Sequence, residues 1–412
     1  MKIFFLGISG TFMGNLAQMA CHLGHEVSGC DEKVYPPMSQ ALLEAGIVFS
    51  EGYIEENYQS ADLYVIGNTI SKNNHLLQKI LIENNEIISG PDWLYQNVLK
   101  EKEVIAVSGT HGKTTVTSMI SHILDKAGYG PGYLIAGVPL NSQKSWSISK
   151  SNYFVIEADE YDTAYFDKGP KFFHYRPNIL LINNIEFDHA DIYANLEMIE
   201  DNFISLLEKM SDEDVAHINE HKVSDRFKGL ILENQKIKAD IKFFKSEAQN
   251  INAENFGATQ SVLQQIITND DIDKYLGSYK GVKRRYQTLY EDKNFKLIDD
   301  FAHHPTAIAE TQKIAKNESS NIVQIIELGS NSMRSGVHDQ KLKSIFANCE
   351  TYTINASPEQ KERFKDVAKE LQQEDISKIL SIHADRKLIL MCGNKNFQGF
   401  QKLILDMLTK SL

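Results

Sequence analysis

Short apolar runs alternate along the chain with stretches that repeat apolar residues every three or four positions. In KIFFLGISGTFMGNLAQMACHLGHEVSGCD, Ile3 to Leu6 is continuously apolar, the pattern of a strand buried on both faces. Leu16, Met19, Ala20 and Leu23 follow at helical spacing, and Gly24 closes that helix, since glycine takes the left-handed conformation readily. EVSGCD predicts a second strand ending in Asp31, and ADLYVIGNT and EIISG predict further strands. This parallel α/β unit ends near residue 100, where LKEKE makes a charged junction.

The pattern restarts with a strand over 104–108 that leads into SGTHGKTT. Val116, Met119, Ile120, Ile123, Leu124 and Ala127 then mark one face of an amphipathic helix, closed by Gly128. YFVIEAD and ILLINNI read as strands, whereas the lysine-rich segment 209–250 carries little pattern. A third unit begins near Lys283, with strands at FKLIDDFAHHP, NIVQIIELG, CETYTINA and KLILMCG and helical segments between them. The chain thus reads as α/β in three units spanning 1–100, 101–282 and 283–412. No short-period repeat or low-complexity segment interrupts them.

Length agrees, since 412 residues exceed one ordinary core. The formal net charge of −12 argues against a nucleic-acid surface, though not against a local basic pocket for a small anion. The apolar run of MKIFFLGISG is too short for a signal-peptide core, and no stretch approaches the roughly 20 apolar residues of a membrane span. Cys21, Cys30, Cys349 and Cys392 are scattered and form no CxxC pair, so we expect neither a metal site nor disulfides in them, and a cytoplasmic location.

Chemistry concentrates at strand ends. Gly109, Thr110, His111, Gly112, Lys113, Thr114 and Thr115 form a strand–turn–helix whose backbone N–H groups and helix dipole favour an anion. Lys113 is placed to reach terminal phosphates and Thr114 to bind Mg²⁺; the bland alternative is a capped turn with a surface lysine. The glycine expected five residues before Gly112 is Val107, which leaves the motif incomplete in its ordinary form. VIEADEYD ends a strand in Glu157, Asp159, Glu160 and Asp162, and Glu157 suits a hard cation; alone, the stretch is also a plausible solvated acidic turn. LLINNIEFDHADIY adds Asn184, Glu186, Asp188 and His189, a histidine that is either a metal ligand or a satisfied loop residue. Gly7, Gly10 and Gly14 do not match GxGxxG, but a glycine turn with Asp31 ending the next strand suits a diphosphate and ribose; a simple tight turn is the alternative. Asp299, Asp300, His303 and His304 share one strand end with no third His or Cys partner near, so we expect structural or nucleotide-contacting roles there.

These residues resemble the Mur ligase family, the ATP-dependent amide ligases of peptidoglycan synthesis. GTHGKTT is similar to that family's shortened P-loop, whose first glycine is here Gly109, which removes the difficulty of Val107. EADEYD, NNIEFDHADIY, GVKRRYQ and DDFAHHPTAI resemble further family motifs in the same order. The resemblance implies an N-terminal Rossmann-like domain for a UDP-sugar, a central ATPase domain and a C-terminal Rossmann-like domain for the incoming amine. It implies ATP and Mg²⁺, with Lys113 on the β/γ-phosphates, Thr114 and Glu157 on one ion and His189 on a second. It also places Asn255 and Asp300 at the nucleotide, and Gly7, Gly10, Gly14 and Asp31 at the UDP-sugar. Two branches join amines to UDP-N-acetylmuramate, one adding L-alanine and one adding the murein tripeptide L-Ala-γ-D-Glu-meso-diaminopimelate during recycling. GISGTFMGNLA, VYPPMS, SGPDWL and DEYDTAYFDKGPKFFHY resemble the tripeptide branch.

The chain also departs from the family. In NAENFGA, Glu254 stands where a histidine is usual and Ala258 where a second asparagine is usual, although Asn255 is kept. ELGSNSM has Gly329 in place of an arginine, and GNKNFQGF has Lys395 and Asn396 in place of glycines. No lysine occurs from 190 to 208, where some relatives carry a carbamylated one. The rival readings are an L-alanine ligase, a UDP-muramate-binding protein with weak ligase activity, and a P-loop NTPase that needs no amine.

Overall fold

Pairing of the first strand, Lys2–Leu6, with Glu26–Asp31 on one side and Leu63–Ile66 on the other begins a parallel five-stranded sheet. Val48–Glu51 and Ile87–Ser89 complete it at the two edges. The order reverses around the first strand, so its carboxyl end, at Gly7, is where ligands enter sheets of this kind. The computed structural model describes all residues except 190–191, 247–250, 330, 382–385 and 411–412. Ala190 and Asp191 of NNIEFDHADIY and Ser330 of ELGSNSM therefore lie outside the described residues.

The second sheet has seven strands in the order Asp240–Phe244, Val215–Asn219, Ile179–Ile182, Glu103–Ser108, Tyr153–Ala158, Gly132–Leu134 and Trp146–Ser147. All neighbours are parallel except the last pair. The helix Lys113–Lys126 packs Val116, Ile120, Ile123 and Leu124 against Ile105, Val107 and Val155 of this sheet. Each such aliphatic side chain contributes about 2 kcal/mol by leaving water. The segment of little pattern holds two strands, Val215–Asn219 and Asp240–Phe244, and the helix Asp225–Glu233. Asp240–Phe244 is an edge strand with no buried position, so it never needed an apolar run.

The third sheet has six strands in the order Gln287–Glu291, Phe295–Asp300, Lys387–Cys392, Asn321–Glu327, Glu350–Ile354 and Lys369–Glu370, with only the first pair antiparallel. It is covered on both faces, by one core around Ile326, Phe346 and Leu390 and another around Ile325, Met391 and Ile404. The chain divides into two compact units: Met1–Phe187, Asn195–Glu247 and Glu254–Lys280 form the first, and Asp188–Ala194, Ala248–Ala253 and Gly281–Leu412 the second. All four cysteines are free thiols. Among the described residues, no helix is long and apolar enough to cross a membrane.

Within the first unit the two sheet bodies are joined by polar contacts. Arg176 donates to the Tyr95 hydroxyl at 3.0 Å, and the Trp146 indole N–H donates to Gln18 at 3.3 Å. His174 bridges two carboxylates, with Nδ1 2.7 Å from Asp92 and Nε2 2.8 Å from Asp167. Burial alone lowers the pKa of His174, but Asp92 and Asp167 outweigh it and raise the value above that of a free histidine. The hydrogen bond from His174 in turn lowers Asp92.

A histidine whose folded pKa is raised stabilises fully below its unfolded value of 6.5, and the gain is lost as pH rises through the folded value. His174→Gln should therefore remove an alkaline loss of stability that the parent chain shows in urea titrations as pH rises above 6.5. We expect a cost of about 1–2 kcal/mol at pH 6, less than for a fully buried pair because 37% of the Asp92 side chain is exposed. Equal pH slopes in the two proteins would contradict this account of the junction.

Candidate active site

The loop after Glu103–Ser108 is built around two glycines in backbone conformations closed to other residues. Gly109 has φ +137° and Gly112 has φ +83°. Space is equally short, since a Cβ on Gly109 would lie 3.0 Å from the Asn184 nitrogen, and one on Gly112 2.5 Å from Asn255 Oδ1. Two neighbouring asparagines clasp the loop from the end of Ile179–Ile182. Asn184 accepts the His111 N–H at 2.8 Å and donates its amide to the His111 carbonyl at 3.0 Å. The Thr110 N–H donates to the Asn184 carbonyl at 3.2 Å, and the Thr110 hydroxyl accepts the Glu186 N–H at 2.8 Å. Asn183 reaches Asn255 at 3.4 Å, which fixes Asn255 behind the loop.

The helix that starts at Lys113 has no side-chain cap, with Gly112 at the capping position and Thr115 in its first turn. Asn74, Ser89, Asn195, Ser224 and Thr268 each cap other helices of the same unit. An open N-terminus with a glycine turn before it is the form an anion site takes.

Lys113 is largely buried and bonds the Gly109 carbonyl at 2.6 Å and Glu160 at 3.1 Å. Burial opposes its charge, yet Glu160 first and Asp159 next outweigh that and raise its pKa. The Thr114 hydroxyl donates to Glu157 Oε2 at 2.9 Å, and the Ala136 N–H donates to Glu157 Oε1 at 2.6 Å. A hydroxyl and a carboxylate thus converge beside the lysine, a hard oxygen pair of the kind Mg²⁺ takes. The structure therefore brings together Gly109 to Thr115, Glu157 and Asn255. The pairing of Glu160 with Lys113 and the clasp by Asn183 and Asn184 escaped the sequence reading. The only sign of them was a pair of asparagines and a run of acids just beyond buried strands.

The N-terminal turn has a different character. Gly7 has φ +91° and its N–H donates to the Cys30 carbonyl at 2.8 Å. Gly10 stands at the uncapped start of the helix Thr11–His22. Gly14 lets that helix pack closely, because a Cβ there would lie 2.3 Å from the Met38 sulfur and 2.9 Å from the Ile8 carbonyl. Asp31 uses both oxygens inside the protein: one accepts the Ser9 N–H at 2.8 Å and its hydroxyl at 2.6 Å, the other the Tyr53 hydroxyl at 2.8 Å and the Glu32 N–H at 2.7 Å. Its hydrogen bonds brace the turn, a role the sequence reading, which put it beside a ribose, did not foresee.

In the second unit His189 has φ +54°, an uncommon backbone for a histidine, and its N–H donates to Asp188 at 2.7 Å. Asp300 is buried and accepts the N–H groups of Ala302 and Tyr286, both at 2.7 Å. Burial pushes its carboxyl up to about 6. His304 does have a histidine neighbour, contrary to the sequence expectation: the His338 ring lies edge-on to it with centroids 4.8 Å apart, and the Asp188 carboxylate is grouped with both. The fold closes that gap between distant segments.

A glycine-rich loop, a buried lysine and a paired hydroxyl and carboxylate at the switch point of a parallel sheet define a nucleotide-binding α/β protein. Residues 2–101 match the pattern of the Mur ligase family catalytic domain, and residues 107–276 that of the Mur ligase middle domain. A UDP-N-acetylmuramate–L-alanyl-gamma-D-glutamyl-meso-2,6-diaminoheptandioate ligase of Escherichia coli (strain K12) is 36% identical over 371 residues, covering 82% of this chain and 81% of its own. A UDP-N-acetylmuramate–L-alanine ligase of Clostridium tetani is 31% identical, covering 78% and 75%. The crystal structure of a murein peptide ligase from Psychrobacter arcticus 273-4 superposes with a TM-score of 0.73 at 30% identity, covering 99% of this chain and 98% of that one. The chain belongs to the Mur ligase family.

Lys113→Met should abolish binding of a fluorescent ATP analogue and also cost about 3 kcal/mol, because Glu160, only 4% exposed, loses its counter-charge. Adding Glu160→Gln should restore much of the stability and none of the binding. Nucleotide binding that survives Lys113→Met at parental affinity would remove the lysine from the site.

Proposed function

We propose that the protein is an ATP-dependent amide ligase that joins L-Ala-γ-D-Glu-meso-diaminopimelate to UDP-N-acetylmuramate in cytoplasmic peptidoglycan recycling. The observation that carries this reading is the similarity, along nearly the whole chain, to a solved murein peptide ligase. The open helix start at Lys113 and the contact of Thr114 with Glu157 support it independently. Residues 1–100 bind the UDP-sugar, 101–282 bind ATP, and 283–412 receive the amine.

In this reading the muramoyl carboxylate attacks the γ-phosphorus of ATP, the bond to the bridging oxygen breaks, and an acyl phosphate and ADP form. The amine then attacks the acyl carbon and phosphate leaves with the former carboxylate oxygen. Placement and charge neutralisation supply most of the acceleration. The N–H groups of Gly112 to Thr115 hold phosphate oxygens, and Lys113 exchanges part of its contact with Glu160 for the β/γ-phosphates. Asn255 and Asp300 contact the nucleotide. The Thr114 and Glu157 oxygens fit Mg²⁺, which when bound neutralises phosphate charge; His189 would help hold a second ion. Gly7, Gly10 and Gly14 shape the sugar-nucleotide turn, and Asp31 braces it.

The relative of Clostridium tetani keeps L-alanine as a second candidate amine. Phosphate release with ATP, Mg²⁺ and UDP-N-acetylmuramate should rise at least tenfold with the tripeptide over free L-alanine or no amine, with a UDP-muramoyl-tripeptide as product. A preference for L-alanine would move the chain to the other branch. Release without any amine would make it an NTPase.

A further inference from the structure

Gly329 and Lys395, two of the positions where the chain leaves its family's pattern, meet in space. They follow the adjacent parallel strands Asn321–Glu327 and Lys387–Cys392, at the carboxyl end of the sheet. The stem of Lys395 lies over Gly329: a Cβ added at 329 would come 3.1 Å from Lys395 Cε and 3.2 Å from Cδ. A side chain at 329 and the present course of Lys395 therefore compete for one volume.

The loop that carries Lys395 is fixed from beneath. Glu327 is fully buried, and its oxygens accept the Lys395 N–H at 2.8 Å, the Phe397 N–H at 3.2 Å and the Asn355 amide at 3.2 Å. Gly393 makes room for this carboxylate, since a Cβ there would lie 2.5 Å from Glu327 Cβ. Arg284 grips the same loop by donating to the Gly393 carbonyl at 2.8 Å. The Lys395 ammonium stands in solvent, and among the described residues it makes no ion pair. A surface lysine needs no such foundation. A cation held by a braced loop at the carboxyl ends of parallel strands is placed to meet an anionic ligand.

We propose that Lys395 recognises a carboxylate of the incoming amine substrate, supplying from the neighbouring strand end the positive charge that Gly329 lacks. This rests on the ligase reading above, in which the tripeptide carries several carboxylates and L-alanine one.

The test is steady-state kinetics of the full chain with the tripeptide. Lys395→Met keeps the stem and removes the charge, and should raise KM for the tripeptide about 10- to 100-fold, as loss of one charge-assisted hydrogen bond does. The KM for ATP, kcat and the unfolding midpoint should change little. Gly329→Arg with Lys395→Gly, which returns the cation to the other strand, should recover most of the loss, whereas Lys395→Gly alone should not. A tripeptide KM unchanged by Lys395→Met would overturn the proposal, as would a rise confined to the KM for ATP, which would make phosphate the anion. A parent chain without amine-dependent turnover would instead sink the ligase reading, and this proposal with it.

Discussion

An ammonium group held inside a glycine turn has to be paired, and that need governs the arrangement around the loop Gly109 to Thr115. Only 16% of the Lys113 side chain and 4% of the Glu160 side chain are exposed, so neither charge is sustained by water alone. Their meeting depends on strand register. Val107 stands opposite Glu157 and Ser108 opposite Ala158, which brings the acidic turn beside the lysine loop. On the other side Ile182 stands opposite Ser108, which brings Asn183 and Asn184 against Gly109 to His111. A slip of one residue in either pairing would turn the whole set to the opposite face of the sheet. The apolar faces that hold the register, around Val107, Val155 and Leu181, are therefore part of the site's chemistry as well as of its stability.

The two glycine turns of the first unit share a geometry and differ in charge. Both follow the central strand of a parallel sheet and both lead into a helix that no side chain caps. The P-loop adds a lysine, a hydroxyl and three nearby acids, whereas the N-terminal turn is held in shape by Asp31, Ser9 and Tyr53. The first contrast suits reaction at a phosphate, and the second suits holding a diphosphate still. The physical division between them is the presence or absence of a cation at the helix start.

Most central strands were legible because burial on both faces leaves a continuous apolar run, as in residues 3–6, Ile179–Ile182 and 388–392. Among edge strands Ile87–Ser89 was legible in EIISG, but others were not. Val48–Glu51 and Asp240–Phe244 have no fully buried position, so only backbone pairing with a neighbour makes them strands. The P-loop was legible because its strand, glycines and helix are contiguous. Its partners Glu160 and Asn183 were not, because they reach it through tertiary packing that no local spacing encodes, and Asn255 was placed only by the family resemblance. For the same reason His338 could not be foreseen beside His304, nor the hydrogen bonds by which Asp31 braces its turn.

The departures from the family pattern are accommodated one by one in the structure. Glu254, at the place of a usual histidine, forms an ion pair with Lys222 at 2.9 Å. Ala258, at the place of a usual asparagine, is fully buried against Val116, Ile120 and Val262, where an amide would have to find hydrogen bonds in an apolar core. Asn255, between them on the same helix, keeps its place behind Gly112. Random loss of a site would leave unpaired charges and holes where side chains once met. Here a new acid has a lysine and a lost amide has become core. The empty position at 329 is covered by Lys395. These changes are matched by their surroundings while Lys113, Thr114 and Glu157 remain in contact distance of their partners, which is the pattern of a chain remodelled around an unchanged glycine loop.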